Sequence, residues 1–232
     1  MAEPVCFPGE TPDCRARRDE LLHAEAELRR RLEEVAALRR RLPLGGAVPQ
    51  DYEFEEGAAD LADERTAHRT PLSALFARED ASLIVYNFMY GPAMERPCPM
   101  CTSMLDGLNA TAPHAMQRVN LAVVAKSPIG RIRAFARERG WRHLRLLSSA
   151  NNTYNRDYHG ETPDGAQNPM LNVFVRRDGA IRHFYASELF FAPWDAGQHP
   201  RHLDLIWPLW SLFDLTPEGR GTDWLPKIGY AP

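Results

Sequence analysis

The stretch "SLIVYNFMYGPAMERPCPMC", Ser82 to Cys101, decides how the chain is read. Its first half is an almost continuous apolar, β-branched run, the pattern of a strand buried on both faces. Its second half turns through Gly91-Pro92 and ends on two cysteines separated by Pro99 and Met100. A helix beginning at Cys98 continues through "CTSMLDGLNATAPHAM", with Gly107 and Pro113 weakening its second half. The dithiol therefore falls where a strand ends and a helix starts.

Outward from there, "RVNLAVVAK", Arg118 to Lys126, reads as a second buried strand. "SPIGRIRAFARERGW" reads as a helix with Ser127 as cap, a proline at its first position and Gly140 at its end. "MLNVFVRRDGAIRHFYA" gives two strands around Asp178-Gly179, a strong hairpin signal. The order β-α-β-α-β-β implies parallel pairing with a right-handed crossover. Between these pieces, Ser148 to Asn168 is polar and without period, and loops of that length are often functional. Before them, "DYEFEE" alternates as an edge strand does, and "RTPLSALF" reads as a turn and a short helix.

The ends of the chain are different in kind. Residues 1–13 are rich in proline and small or polar residues and are expected to lack a fold. Residues 14–44 form an amphipathic helical arm, with Leu21, Leu28, Val35 and Leu42 seven apart and Leu32 and Leu38 widening the stripe. That stripe suits either packing on its own domain or pairing with a second copy, although Ala24 and Arg31 occupy d positions. The central domain is expected over 47–198. Residues 199–232 form a Trp-rich helical tail, interrupted by Pro208 and packed on the domain; its tryptophans are core or docking residues. The His199 and His202 pair can share a helix face, as surface groups or as ligands.

The 232 residues carry a net charge of −3 with the signs interspersed, which leaves no footprint for nucleic acid. The N-terminus lacks the basic and apolar regions of an export signal, and no apolar run approaches the roughly 20 residues that span a bilayer. A cytoplasmic protein with no membrane partner is expected. Thiols are kept reduced in that compartment, so a paired cysteine motif there is catalytic, redox-sensing or metal-binding rather than structural.

A β-α-β-α-β-β order with Cys-x-x-Cys after the first buried strand is the organisation of the thioredoxin fold. The expected class is α/β, a central mixed sheet flanked by helices. At a helix N-terminus the unpaired N–H groups and the helix dipole stabilise a thiolate, so Cys98 is the attacking sulfur. Cys101, one turn further in, is the resolving thiol. Pro99 fits the first helical turn, and Met100 sets local polarity without offering a proton. Asn168-Pro169 precedes the strand "MLNVFV"; in thioredoxin-like folds a cis-proline there faces the dithiol and presents backbone to the incoming chain. The alternative is an ordinary trans proline opening a strand.

Other uses of the cysteines fare less well. Zinc needs two further ligands, and Cys6 and Cys14 do not form a second Cys-x-x-Cys. Peroxidases of the peroxiredoxin type place a proline seven positions, and a threonine or serine three positions, before the reactive cysteine. Counting back gives Gly91 and Glu95 for Cys98, and Met94 and Cys98 for Cys101. No metal and no organic cofactor is expected.

The combination "LPLGGAVPQDYEFEEG", "LIVYNFMYGPAMERPCPMC", "GWRHLRLLSSANNTYNRDY" and "LFDLTPEGRG" resembles a family of thioredoxin-like proteins catalogued as domain of unknown function 899, over Arg15 to Asp223. The resemblance implies a dithiol-disulfide oxidoreductase. It maps the family's recurrent pieces onto Cys98 and Cys101, onto Ser148, Ser149, Asn155, Asp157 and Tyr158, and onto Leu215 to Gly221. Arg156 departs from it, because an aromatic residue usually precedes the aspartate. With the polar loop folded over the dithiol, Asp157 would take the proton of Cys101 as general base and Tyr154 or Tyr158 would bound the pocket. Otherwise Asp157 caps a turn and the tyrosines are packing residues. The expected function is dithiol exchange with a protein or small-molecule thiol or disulfide, with a homodimer through the arm in view. The alternative is a non-catalytic, redox-sensing or protein-binding module.

Overall fold

The computed structural model describes residues 5–77, 82–193, 203–219, 221 and 223–230; His199 and His202 lie outside the described residues. The chain divides into two units, residues 1–43 and 44–232.

The first unit is a single helix, α1 (Pro12–Arg40). It starts two residues earlier than expected because Thr11 caps it, its Oγ1 accepting the Cys14 N–H at 3.2 Å, and Pro12 fits the first turn. A turn closed by the Glu10 N–H on the Phe7 carbonyl, 3.1 Å, leads into it, so part of the segment expected to lack a fold is structured. No described residue of α1 is buried, and Leu21, Leu28, Leu32 and Leu38 are exposed.

The second unit runs β1 (Glu53–Gly57), β2 (Ala67–Pro71), a 3-10 turn (Leu72–Leu75), β3 (Leu83–Asn87), α2 (Pro99–Ala115), β4 (Asn120–Ala125), α3 (Ile129–Arg139), β5 (Leu146–Ser148), α4 (Tyr154–Asp157), β6 (Leu171–Arg177), β7 (Ala180–Ala186) and α5 (Pro208–Asp214). The seven strands form one mixed sheet in the order β2-β1-β5-β4-β3-β6-β7. β3, β4 and β5 are parallel, and the remaining pairings are antiparallel. The unit β3-α2-β4 followed by the hairpin β6-β7, with β3 central, is a thioredoxin-like arrangement, extended on the β4 side by β5, β1 and β2.

Several local expectations need correction. "DYEFEE" is not an edge strand: β1 lies between β2 and β5, and the outer place goes to β2, whose polar "AHRTP" carries no strand pattern. Ser127 does not cap α3; Pro128 occupies that position, and the Ser127 hydroxyl turns inward instead. Pro208 does not interrupt the C-terminal helix but opens it, where its missing N–H costs nothing. The hairpin stands as read: Asp178 and Gly179 have φ of 52° and 73°, the paired positive values of a tight turn between twisted strands.

Alternation along the strands sorts the core into two clusters, one on each face. Tyr86, Phe88, Leu121, Val123, Ala125 and Leu146 face α2, α3 and α5 with Cys101, Met104, Phe135, Trp141 and Trp210. Leu83, Val85, Ala122, Val124, Leu147 and Phe174 face the opposite way, against Tyr52, Phe54, Leu72, Leu75 and Tyr154. The Trp141 indole donates to Asp106 Oδ1 at 2.8 Å and ties α3 to α2.

Candidate active site

Where β3 runs out, the backbone stays pinned on both sides. The Asn87 N–H reaches the Met170 carbonyl at 2.7 Å, and the Phe88 N–H reaches the Val124 carbonyl at 2.8 Å. The chain then loops out and returns when the Cys98 N–H bonds the Met89 carbonyl at 3.0 Å. This loop is held from the α3 side. Arg131 donates to the carbonyls of Pro92 at 3.0 Å, Met94 at 2.5 Å and Glu95 at 3.3 Å, and its guanidinium lies 4.9 Å from the centre of the Tyr90 ring. Buried Ser127 donates its hydroxyl to the Gly91 carbonyl at 3.0 Å and its N–H to the Tyr90 carbonyl at 2.9 Å.

Cys98, the expected first residue of the helix, is the N-cap of α2, so the helix starts one residue later and Pro99 takes the first helical position. The carbonyl of Cys98 accepts both the N–H and the hydroxyl of buried Thr102, at 3.0 and 2.9 Å, which fixes the first turn. Both thiols are free; Cys98 is half-buried and Cys101 is 3% exposed. The Cys101 thiol hydrogen-bonds Cys98 and pulls its pKa down to about 6, against the cost of burial and with help from the backbone N–H groups of Cys101 and Met100. Cys101 moves the other way: burial and the neighbouring Cys98 push it well above the ordinary thiol value. The two sulfurs therefore divide into a thiolate and a thiol near neutrality.

The sequence reading missed the group behind them. Tyr86, 1% exposed on β3, hydrogen-bonds Cys101 through its hydroxyl, and the Met89 backbone N–H approaches the same sulfur. The available signal was a lone phenol in an apolar strand, at the parity that faces the helix carrying the cysteines. A buried tyrosine hydroxyl needs a partner, and here the partner is a sulfur.

The other expected site residues separate into two groups. Met100 packs into the cluster that holds Cys101. Asn168 and Pro169 lie next to Met170, whose carbonyl bonds the end of β3, while the Asn168 side chain donates to the His159 carbonyl at 3.1 Å. The Asn168-Pro169 bond is trans, not the cis form considered for it. Pro169 is buried and precedes the first residue of β6 by two.

Asp157, Tyr154 and Tyr158 do not gather at the dithiol. Asp157 Oδ2 accepts the Tyr52 hydroxyl at 2.8 Å and the Thr153 hydroxyl at 2.5 Å, and the two tyrosines pack with Tyr52 and Phe174 in the cluster on the far face of the sheet. The expectation of Asp157 as base for Cys101 is corrected on that ground: the loop folds over the face away from α2. Tyr154 and Tyr158 are packing residues there. Asp157 and Tyr158 also line a cavity of about 590 Å³ with His159, Asn172, His183 and Glu188.

What the polar loop brings toward the dithiol is its buried half. The Ser149 N–H bonds the Ala125 carbonyl at 2.9 Å, its hydroxyl donates to Asn155 Oδ1 at 2.6 Å, and Asn155 Nδ2 donates to Gln167 Oε1 at 3.3 Å. Gln167 lies so close to Gly91 that a Cβ there would sit 3.0 Å from Gln167 Cγ. The chain of amides and hydroxyls thus braces the loop leading to Cys98. Ser148 adds a bond from its hydroxyl to the Ser127 carbonyl at 2.7 Å. Among the described residues, no three side chains of the His, Cys, Asp or Glu type converge to hold a metal ion.

Fold and site together define a thioredoxin-like α/β protein carrying a polarised dithiol. The chain belongs to the family described as "Bacterial protein of unknown function (DUF899)", whose sequence model matches residues 9–230. No curated protein matches it in sequence. Among solved structures it is similar to a mutant of Xanthomonas campestris peroxiredoxin Q, at 12% identity over 72% of this chain and 96% of that one, with a TM-score of 0.48. Enterococcus faecalis AhpC gives 12% identity over 74% and 93%, with a TM-score of 0.46. The reduced 2-Cys peroxiredoxin of Plasmodium vivax gives 13% over 70% and 93%, with a TM-score of 0.46. Similarity at this level assigns no reaction to this chain.

Proposed function

We propose that the protein is a dithiol-disulfide oxidoreductase in which Cys98 attacks and Cys101 resolves. The observation that carries this reading is the half-buried Cys98 with its pKa down to about 6 and its neighbour Cys101 hydrogen-bonded to it. The Cys98 thiolate attacks one sulfur of a substrate disulfide, forming a mixed disulfide and releasing the first substrate thiolate. Cys101 loses its proton to solvent or to that departing thiolate and attacks Cys98 Sγ. The second substrate thiolate leaves, and a Cys98-Cys101 disulfide remains. Substrate gains two electrons and the protein loses two. An external dithiol reverses the sequence and restores the reduced form.

The substrate class is a disulfide or thiol on a protein or small molecule, in a reducing compartment such as the cytoplasm. Asn168, Pro169, Pro99 and Met100 border the approach. Reduction of insulin by dithiothreitol tests the assignment. Wild type accelerates it, Cys98→Ser abolishes the acceleration, and Cys101→Ser accumulates mixed disulfides that wild type does not retain. Equal turnover by wild type and Cys98→Ser removes the enzyme reading and leaves a sensing or binding module. The exposed leucines of α1 support a second element of the proposal, pairing of that helix with another copy of the chain.

A further inference from the structure

Tyr86 has two neighbours of different character. Its hydroxyl meets Cys101, and its side chain is part of the wall of a cavity of about 580 Å³ on the α2 face. The cavity lies between α2, the sheet and the segment Asp204–Ser211, and it is lined mainly by Ile84, Leu108, Leu121, Leu171, Leu205 and Ile206. That size is in the range of small-molecule sites. Protein interiors are close-packed, and apolar cavities stay dry and take up apolar molecules.

The polar part of the wall narrows the ligand class. Thr111 spends its hydroxyl on the Gly107 carbonyl at 3.1 Å, and the lining residue that carries charge is an acid, Asp204. Among the described residues, no lysine, arginine or histidine lines the space. From these residues a carboxylate or phosphate headgroup would draw no counter-charge, whereas an uncharged apolar molecule matches the aliphatic side chains that make up most of the wall. Leu205, 65% exposed, stands at the rim as an apolar threshold.

We propose that this cavity binds an uncharged apolar molecule, and that the dithiol registers its occupancy because the ligand packs against Tyr86. The binding stands independently; the coupling rests on the dithiol reading. A ligand against the ring holds the hydroxyl on Cys101. A better-held donor makes the Cys101 thiol a stronger donor to Cys98, and the Cys98 thiolate gains.

Gly107 makes the test clean. It lines the cavity from within α2, and a Cβ added there meets nothing within 4 Å. Leucine at that position grows into open space and suits a helix better than glycine does. Titration of the full chain with N-phenylnaphthylamine, followed by its fluorescence, is expected to show saturable binding that dodecanol displaces and dodecanoate displaces far less well. Gly107→Leu is expected to lose the binding without a lower thermal midpoint, and Cys98→Ser to retain it. With dodecanol bound, alkylation of Cys98 below its midpoint pH is expected to run about twofold faster in wild type and unchanged in Tyr86→Phe. Non-saturable fluorescence, or saturable binding that Gly107→Leu leaves intact, overturns the site. Saturable binding with no change in alkylation overturns the coupling to Tyr86. Retained binding in an inactive Cys98→Ser separates this inference from the redox assignment.

Discussion

At the scale of single residues, the proposed chemistry is a division of labour between two sulfurs and a phenol. Cys98 is stabilised as a thiolate chiefly by the Cys101 thiol, with the helix N–H groups second. The helix-dipole argument from sequence therefore pointed to the sulfur whose pKa is lowered, by the lesser of its causes. The pH dependence follows from the sign. Only the thiolate is alkylated, so the rate is expected to rise through a midpoint of about 6 and to be level above it. Tyr86→Phe removes the donor on Cys101, weakens that thiol as a donor to Cys98, and moves the midpoint upward. It also costs about 1 kcal/mol of stability for one buried hydrogen bond. Thiolate ultraviolet absorbance against pH, with a urea melt, reads both effects. An unmoved midpoint in a folded Tyr86→Phe would leave Tyr86 a packing residue.

At the scale of elements, the dithiol depends on how β3 is joined to α2, and Arg131 is the brace. Its fork takes three carbonyls of a loop that has no regular pairing of its own, and the Tyr90 face covers the charge. Arg131→Ala is expected to cost about 1 to 2 kcal/mol, since bonds to a charged donor are worth more than neutral ones and part of this fork is in water. Arg131→Lys keeps the charge, lacks the fork and should not rescue. Amide exchange in Gly91 to Cys98 is the direct measurement: faster in both variants on this account, and unchanged if the loop holds itself. Elements whose own residues carry their signal were legible. β3 and β4 announce themselves by continuous apolar runs, the hairpin by Asp178-Gly179, and α3 by Gly140, which closes it at a φ of 71°. β5 is three residues and β2 is polar. Both exist because a neighbouring strand offers hydrogen bonds, and no local pattern records that. The placement of Asp157 was illegible for the same reason: the loop's composition does not say which face of the sheet it will cover.

At the scale of the whole molecule, the two units meet different physical demands. The sheet unit buries large aromatic side chains such as Trp141, Trp210, Tyr52 and Phe54 on its two faces, while no described residue of α1 is buried. A helix of 29 residues with Leu21, Leu28, Leu32 and Leu38 exposed does not stabilise itself through propensity alone. Its ion pairs, such as Arg31 to Glu34 at 2.8 Å, are exposed and contribute a few tenths of a kcal/mol at most. The proposed partner is a second copy, whose stripe matches in length and spacing; these leucines are about half exposed, so pairing would bury each for about 1 to 1.5 kcal/mol. Sedimentation velocity of the full chain is expected to show a dimer that dissociates on dilution. Leu28→Glu with Leu32→Glu is expected to leave a monomer, with insulin reduction per chain unaltered because the dithiol belongs to the other unit. A dimer that survives both substitutions moves the interface off α1, and a monomeric wild type at micromolar concentration removes the pairing altogether.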